Sequence, residues 1–456
     1  MSLRIEKIRK LLAVAASIAG VGAMALVADL AHAATAIGAF GSPKVTVTGA
    51  FAMPASTYYI DSSHPAASDK NAGTSPSLPW ASLAPASGRR LVPGDTISLK
   101  AGTAYDGALT IQSKGTATAP ITVNSFGGGT KPVIRGNPTF GSGASAITLY
   151  QAAYVIVDGL SLSRAAYAGI NAITSDNVII RNNEMFDVGM GVNLGGQNNV
   201  VTDNYFHDLK MIKNGNAGSF GAVAITVLGP NNEIAYNTCR RCIAPDAIYG
   251  YNGGMIELYG TVDNAYIHHN FAQDSDGFLE AGVGTARNVR IVYNVSYNND
   301  GNFICIHYAG QFAYTGPTSF LVANNTVVQN QAALKPVGTL NSVDTPPASS
   351  SVLFVNNIFS IDNVPSIYAN DVPRLNNIYQ IKAANAHVLG NWSNALGVGE
   401  KLSDPGFVNA QLPDLRLAAT SPARGKALVS SAVGVLDFAR APLPASGRDI
   451  GAYQYQ

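Results

Sequence analysis

Two glutamates hold matching positions in two short apolar segments, Glu257 in MIELYG and Glu280 in FLEAGV. Alternate side chains of a strand point to opposite faces, so Ile256 and Leu258 would point inward and both glutamates outward. On neighbouring parallel strands their backbones would lie about 4.8 Å apart, and the mutual repulsion would raise one pKa. A protonated and an ionised carboxyl group side by side have the chemistry needed to cleave a glycosidic bond. The alternative is a pair of solvated surface glutamates.

Three more side chains are candidates for the same chemistry. Tyr259 follows Glu257 by two positions and therefore shares its face. If FICIHY alternates as MIELYG does, Cys305 and His307 also face outward, and the histidine would serve as a base, a sugar ligand or a structural residue. Asp276, two residues before FLEAGV, is the best candidate for a third carboxylate.

The substrate-binding candidates lie before or beside these strands. Asn193 holds the glutamate position in the earlier segment GVNLGG. Two long segments, 210–223 and 240–254, are expected to form loops over the same face, and tyrosines in such loops stack on sugars. The charged and aromatic candidates in these segments are Lys213, Arg240, Arg241, Asp246, Tyr249 and Tyr251.

An internal repeat predicts the elements that position these residues. Seven segments combine a short apolar run, an asparagine and a second apolar run, at intervals of 21 to 33 residues. The aligned asparagines are Asn183, Asn204, Asn237, Asn270, Asn294, Asn325 and Asn357, and VIVDGLSL is expected to place Gly159 on the same row. A constant unit with insertions of variable length indicates a β-solenoid, whose stacked coils share one core.

An asparagine at each bend has a physical reason. Its short side chain tolerates left-handed backbone angles, and stacked amides can hydrogen-bond along the solenoid axis. A helical fold is excluded because no window sustains an apolar period of 3.6 residues. His268 and His269 fall in the strand and bend of a different face, and we expect them to be structural.

The repeat, together with STYYIDSSHPAASDKNAGTSPSLPWASL (56–83) and the closing SPA and DIGAY sequences, resembles the right-handed parallel β-helix (pectate-lyase-like) superfamily. The resemblance implies an all-β, right-handed parallel β-helix with caps at both ends. We expect the N-terminal cap and first coils at 57–140, the β-helix at 141–385 and the closing coil and cap at 386–456. It also implies a monomeric, polysaccharide-active protein, and acidic exopolysaccharides are among the substrates it suggests.

Three functions remain open. The first is a glycoside hydrolase that uses Glu257 and Glu280 and needs no cofactor or metal. The second is a polysaccharide lyase acting by β-elimination on a uronate polymer. IELYG resembles the acidic strand of alginate-lyase-like enzymes, but Tyr259 and Gly282 stand where that family has Lys and Arg. A lyase would use Tyr259 or His307 as base, with Arg240, Arg241 or a calcium ion neutralising the uronate. The third is a non-catalytic glycan-binding or cell-surface protein.

Composition and the N-terminal residues bear on compartment and partners. The 456 residues carry 29 basic and 28 acidic side chains, a balance that argues against nucleic-acid binding. Residues 1–33 have the basic, apolar and Ala-x-Ala regions of a secretory signal peptide, followed by a linker at 34–56. We therefore expect a secreted or periplasmic protein without a membrane anchor after cleavage.

The three cysteines are Cys239, Cys242 and Cys305. A redox C-x-x-C needs a helix N-terminus, and zinc needs a second ligand pair at matching spacing; neither is evident. The sequence therefore predicts buried free thiols or one incidental bridge.

Overall fold

A computed structural model describes residues 55–141, 143–213, 220–330, 341–343, 350–361, 372–382, 387–388, 393–411 and 414–456. The predicted signal peptide and almost all of the linker lie outside these residues. The chain divides into two compact units, Gly49–Leu428 with Leu436–Gln456, and Met1–Thr48 with Val429–Val435. In the second unit, Ser431–Val433 forms a 3-10 turn. None of the described residues forms a helix long and apolar enough to span a membrane.

Short parallel strands of the first unit stack into three ladders, which we number 1 to 3. Ladder 1 consists of Leu109–Ile111, Ile147–Tyr150, Ala168–Ile173, Met190–Leu194, Val223–Val227, Gly250–Thr261, Leu279–Val292, Ile304–Ile306 and Asn341–Val343. Ladder 2 consists of Thr57–Ile60, Thr96–Lys100, Ile121–Phe126, Val155–Asp158, Ile179–Arg181, Val200–Thr202, Glu233–Ala235, Tyr266–His268, the second half of Leu279–Val292, Tyr314–Ala323, Ser351–Val355 and Arg374–Leu375.

Ladder 3 consists of Ala104–Asp106, Val133–Arg135, Ser161–Ser163, Glu184–Phe186, Tyr205–His207, Thr238–Arg240, Phe271–Gln273, Val295–Tyr297, Thr326–Val328, Ile358–Ile361, Ile378–Ile381 and Lys401–Leu402. Three further strands pair in antiparallel fashion: Ile243–Asp246 with the start of Gly250–Thr261, and Phe407–Asn409 with Asp414–Leu417. A second 3-10 turn spans Gly310–Phe312.

The core lies between the ladders and is built by stacking equivalent residues of successive coils. Ile225, Ile256, Leu279 and Ile304 follow one another in register on the inner face of ladder 1, and each is at most 2% exposed. Each coil thus covers the apolar face of the next, which it could not bury alone. The all-β, parallel β-helix prediction is confirmed, and parallel stacking runs from Thr57 to Leu402.

The asparagine row forms a continuous hydrogen-bonded ladder at the bend between ladders 2 and 3. The Oδ1 of Asn237, for example, accepts from the backbone N–H and the Nδ2 of Asn204 at 3.1 and 3.0 Å. The same pattern continues through the row to Asn377, an additional member that the sequence alignment did not include. Asn377 then donates to the buried carboxylate of Glu400 at 2.7 Å, which ends the row.

The prediction that Gly159 lies on the asparagine row was wrong by one residue. Leu160, not Gly159, stands in line with the row, because its N–H donates to Asn183 Oδ1 at 3.0 Å. Gly159 is aligned with Asn182, and both have left-handed φ angles, 74° and 54°. The left-handed turn therefore belongs to the residue before each asparagine of the row, and the asparagine itself provides the hydrogen bonds.

His268 and His269 link ladder 2 to the C-terminal segment of the same unit. His268 Nε2 lies 3.1 Å from Glu233 Oε1, and the Nδ1 atoms of the two histidines are 2.7 Å apart. His269 Nε2 donates to the carbonyl of Leu436 at 3.1 Å. Both histidines are nearly buried, an environment that agrees with the structural role expected from the sequence.

Replacing Asn270 with leucine should destabilise the protein. The change removes the acceptor used by Asn237 and the donor to the carbonyl of Ile234, which leaves buried polar groups without partners. We expect a loss of about 3 kcal/mol in the free energy of unfolding, measured by urea denaturation. Asn409→Leu, at an exposed position, is the matched control. If Asn270→Leu unfolds with the wild-type free energy, the hydrogen bonds of the amide row do not stabilise the protein as described.

His269 should make stability depend on pH. Burial and the adjacent His268 lower its pKa to about 3 in the folded state, whereas in the unfolded chain it is about 6.5. The unfolded state therefore binds the extra proton between these values, and stability should fall by up to about 1.4 kcal/mol per pH unit as pH drops through this window. Urea unfolding of His269→Asn at pH 5, 6 and 7 should give a shallower slope than wild type. The control His64→Asn should keep the wild-type slope; equal slopes for all three proteins would refute the assignment.

Candidate active site

The outer face of ladder 1 presents one row of side chains at matching positions of successive strands, which we call the glutamate row. The strand register aligns Glu257 with Glu280, as the alternation in the two segments predicts. The row runs through Thr110, Thr148, Asn171, Asn193, Thr226, Glu257, Glu280 and Cys305. Asn193 thus lies on the row two strands from Glu257, as expected.

Glu257 has a hydroxyl partner on the preceding strand of ladder 1. Its Oε2 accepts a hydrogen bond from Thr226 Oγ1 at 3.1 Å. Burial, followed by the negative charge of Glu280, raises the pKa of Glu257 to about 7, and the bond from Thr226 opposes that rise. Glu257 therefore keeps its proton to a higher pH than an ordinary glutamate does.

Glu280 has donors that stabilise its charged form. The hydroxyl of Tyr259 donates to its Oε1 at 2.5 Å, and His307 Nε2 lies 3.2 Å from the same oxygen. Burial and the charge of Glu280 raise the pKa of Tyr259, so its phenol stays protonated and donates. Hydrogen bonds of this kind to a carboxylate are stronger than neutral ones. The two glutamates consequently have different hydrogen-bond partners although they occupy equivalent positions in the repeat.

His307 completes this cluster and settles the register that its segment left open. Cys305 pairs with Glu280 across the strands, and His307 Nε2 lies 3.5 Å from the Cys305 sulfur. Contacts with that sulfur and with the Glu280 carboxylate raise the pKa of His307 to about 10. The imidazole is therefore a cation at neutral pH. It reaches Glu280 from the strand that follows in ladder 1, whereas Tyr259 reaches Glu280 from the strand that precedes it.

A glycine makes room for this arrangement. Gly282 is aligned with Tyr259, and a Cβ on Gly282 would lie 2.4 Å from the carbonyl oxygen of Phe312 and 3.3 Å from His307 Cδ2. The 3-10 turn that carries Phe312 can approach only because this side chain is missing. The Phe312 ring then contacts the rings of Tyr259 and His307, each at a centroid distance of 6.0 Å. Sequence analysis identified Gly282 only as the site of an absent basic residue.

Asp276 lies at the corner that precedes the strand of Glu280. Its backbone N–H donates to the carbonyl of Cys242 at 3.3 Å, and its own carbonyl accepts from Gly301. The residue is 7% exposed, whereas the side chain of Glu280 is 38% exposed. A catalytic role for Asp276 stays a prediction, and its burial makes it less accessible to a substrate than either glutamate.

The segment 240–254 contains a β-hairpin that continues directly into the strand of Glu257. Asp246 accepts hydrogen bonds from the N–H groups of Ile248 and Tyr249, each at 2.8 Å, and so shapes the hairpin tip. Tyr249 and Tyr251 are 55% and 37% exposed. Their predicted contact with substrate is compatible with this exposure, while Asp246 has a turn-forming function.

The prediction that Arg240 and Arg241 lie in a loop over the glutamates was wrong. Arg240 ends the strand Thr238–Arg240 of ladder 3, with its guanidinium over the ring of Phe271. Arg241 donates two hydrogen bonds to Asp208, at 2.6 and 2.8 Å, and this guanidinium lowers the pKa of Asp208 to about 2. Pairing across coils fixes both side chains. Lys213 is exposed at the last described position before residue 220.

The cysteines and metal ligands can also be placed. Cys239 and Cys242 form a disulfide in the buried core, which is one of the two predicted states. Cys305 is a free, half-buried thiol. Among the described residues, no three His, Cys, Asp or Glu side chains come together in an arrangement that could hold a metal ion.

The pKa of Glu257 can be tested directly by carbon-detected NMR titration of the labelled side-chain carboxyl group. Replacing Glu280 with glutamine should lower this pKa without restoring the ordinary value, because burial is the larger cause and remains. Thr226→Val should change the pKa in the opposite direction, since it removes a hydrogen bond to the charged form. An unperturbed Glu257 in wild type, or the same response in both variants, would invalidate the electrostatic description.

Comparison with known proteins supports the fold. No family model matches the chain. Over 92 residues, or 19% of its length, the chain is 41% identical to a lacto-N-biosidase of Bifidobacterium longum subsp. longum, and the match spans only 6% of that protein. Pectate lyase Pel9A shares 17% identity at a TM-score of 0.55, covering 88% of this chain and 98% of its own. XylC in complex with xylose gives 13% identity and a TM-score of 0.54 with the same coverage. At these identities the likeness concerns architecture alone, and the chain has a right-handed parallel β-helix fold.

Proposed function

We propose that this protein is a carbohydrate-active enzyme that hydrolyses glycosidic bonds, with Glu257 as the general acid and Glu280 as the base or nucleophile. One observation carries the proposal: two aligned glutamates have opposite preferences for a proton. Glu257 has a pKa of about 7, and Glu280 is held in its charged form by Tyr259 and His307. Glycosidases need this division of roles between two carboxyl groups.

Under this proposal, each side chain takes part in at least one step. A protonated Glu257 would donate its proton to the glycosidic oxygen as the bond to the anomeric carbon breaks. Glu280 would either attack that carbon, forming a glycosyl ester that a water deprotonated by Glu257 then hydrolyses, or remove a proton from a water that attacks the carbon directly. Tyr259 and His307 would hold the Glu280 carboxylate in place. Their hydrogen bonds would lengthen as Glu280 reacts, because negative charge then leaves the carboxylate. Thr226 would orient the acid.

The arrangement of basic residues favours hydrolysis over elimination. A lyase has to neutralise the uronate carboxylate with a cation or metal. Among the described residues, the glutamate row carries no lysine or arginine. Arg241, which a lyase was expected to use, is paired with Asp208 at the corner between ladders 3 and 1. Tyr259 and His307 hold a carboxylate, a task that differs from removal of a sugar proton.

The comparisons are in line with this proposal at a coarser level. The stretch of 41% identity is shared with a protein named as a lacto-N-biosidase, and XylC was solved with a sugar bound. We extend the proposal to a polysaccharide or oligosaccharide substrate and, from the predicted signal peptide, to action outside the cytoplasm as a monomer. Calcium would be required only under the lyase alternative.

Glu257→Gln and Glu280→Gln should each lower kcat by about a thousandfold or more, because each removes a group that transfers a proton or attacks the substrate. The assay follows new reducing ends, and the ultraviolet absorbance of unsaturated uronates, over a panel of neutral and acidic polysaccharides. Wild-type kcat/KM should decline above about pH 7, where Glu257 loses its proton.

Glu184→Gln is the matched control, since Glu184 lies on ladder 3, where its carboxylate accepts a hydrogen bond from the Ser161 hydroxyl. It should keep full activity. Ultraviolet absorbance of the products would establish elimination instead of hydrolysis. Full activity in both glutamine variants would remove the pair from the mechanism.

A further inference from the structure

A group of polar side chains lies on the glutamate row, away from the proposed acid and base. Asn193 Nδ2 donates to Asn171 Oδ1 at 2.9 Å and to the hydroxyl of Tyr167 at 3.3 Å. Asn193 is aligned with Thr226, which is aligned with Glu257. Asn193 and Asn171 are thus two and three strands from Glu257, or about 10 and 14 Å at the backbone.

These side chains keep hydrogen-bonding capacity that the protein does not use. Within the described residues, Asn193 Oδ1 and Asn171 Nδ2 have no hydrogen-bond partner, although Asn193 itself is only 8% exposed. An amide oxygen accepts and an amide NH2 donates, and the Tyr167 hydroxyl can still donate its proton. The ring of Phe140 packs edge-on against Tyr167 at 5.8 Å and holds it in place.

The charge of this region is also informative. The row from Thr226 to Thr110 consists of hydroxyl and amide side chains without a formal charge. Two of the cations that precede ladder 1 strands are paired with carboxylates: Lys210 Nζ lies 2.9 Å from Asp187 Oδ1, and Arg241 is hydrogen-bonded to Asp208. A uronate carboxylate bound here would meet no basic partner on the row and would approach the negative charge of Glu280.

We propose that Asn171, Asn193 and Tyr167 form a sugar subsite for an uncharged residue, and that the substrate is a neutral glycan chain extending from the glutamates toward the N-terminal coils. One acceptor, one donor and a hydroxyl match neighbouring sugar hydroxyls or an N-acetyl group, whereas carboxylates are bound by arginine forks. The identity of the substrate class rests on the proposed function; the subsite itself is a statement about binding.

The test measures binding by a protein that does not turn over its ligand. Glu257→Gln would be titrated calorimetrically with oligosaccharides of defined length, namely neutral cello-, xylo-, manno-, galacto- and N-acetylglucosamine series and acidic galacturonate and mannuronate series. We expect the tightest ligand to be neutral. Adding Asn171→Ala with Asn193→Ala should weaken its Kd by about tenfold or more, and adding Tyr167→Phe by less.

Asn409→Ala in the same background is the control and should bind as the parent does. Equal melting temperatures exclude a folding defect, and Tyr167→Phe, which removes a single oxygen, provides a second variant if the double substitution lowers stability. The proposal is overturned if a uronate is the tightest ligand, if the asparagine variants bind as tightly as the parent, or if no series binds.

These outcomes are separable from the proposed function. Cleavage by wild type together with unchanged binding by the asparagine variants would overturn the subsite and leave hydrolysis intact. Asparagine-dependent binding of a neutral glycan that wild type does not cleave would overturn hydrolysis and leave the subsite intact.

Discussion

The register between successive coils is the constraint on which the candidate site depends. Side chains alternate along a strand, so a slip of one residue would send Glu257 and Glu280 into the core and their apolar neighbours outward. The asparagine row opposes such a slip, because each amide accepts two hydrogen bonds from one neighbour and donates to the next. These bonds are buried, where an unpaired polar group is costly. A structural ladder on one bend therefore positions the chemical groups on a different face.

Within that register, small differences give equivalent positions different chemistry. Thr226, Glu257, Glu280 and Cys305 follow one another on the same row. Glu257 has one hydroxyl partner and little access to water, so its neutral form is favoured. Glu280 has a phenol and an imidazolium as partners, so its charged form is favoured. Because Gly282 has no side chain, the 3-10 turn that carries Phe312 can pack against the rings of Tyr259 and His307. The pair is asymmetric because of its neighbours, not because of its own residue types.

The features that could be predicted from the sequence are those encoded locally. Alternation within MIELYG and FLEAGV was sufficient to direct both glutamates outward, and the repeated asparagines identified the bends. Gly159 was misplaced because a glycine and the first asparagine of an Asn-Asn pair share the left-handed position, and VIVDGLSL has no asparagine to mark the next one. Arg240 was assigned to a loop because its pairing with His207 and Gln273 is a contact between coils. The approach of Phe312 to Gly282 also joins residues distant in sequence. A local signal for Asn171, which sequence analysis did not select, did exist, because the sequence GIN at 169–171 repeats as GVN at 191–193.

The two ends of a ladder 3 strand obey different rules. On one side, two residues separate each ladder 2 strand from the next ladder 3 strand from Val155–Asp158 to Arg374–Leu375, as between Arg181 and Glu184 or between Thr202 and Tyr205. On the other side, the connection to ladder 1 is three residues long after Phe186, whereas residues 208–222 separate His207 from the next ladder 1 strand and a hairpin follows Arg240. Lengthening the connection from ladder 3 to ladder 1 interrupts neither the asparagine row nor the pairing of the strands. The entropic cost of a longer loop also rises slowly with its length. Such a molecule can acquire new surface by insertion on one side of each coil, while the opposite side keeps the strands in register.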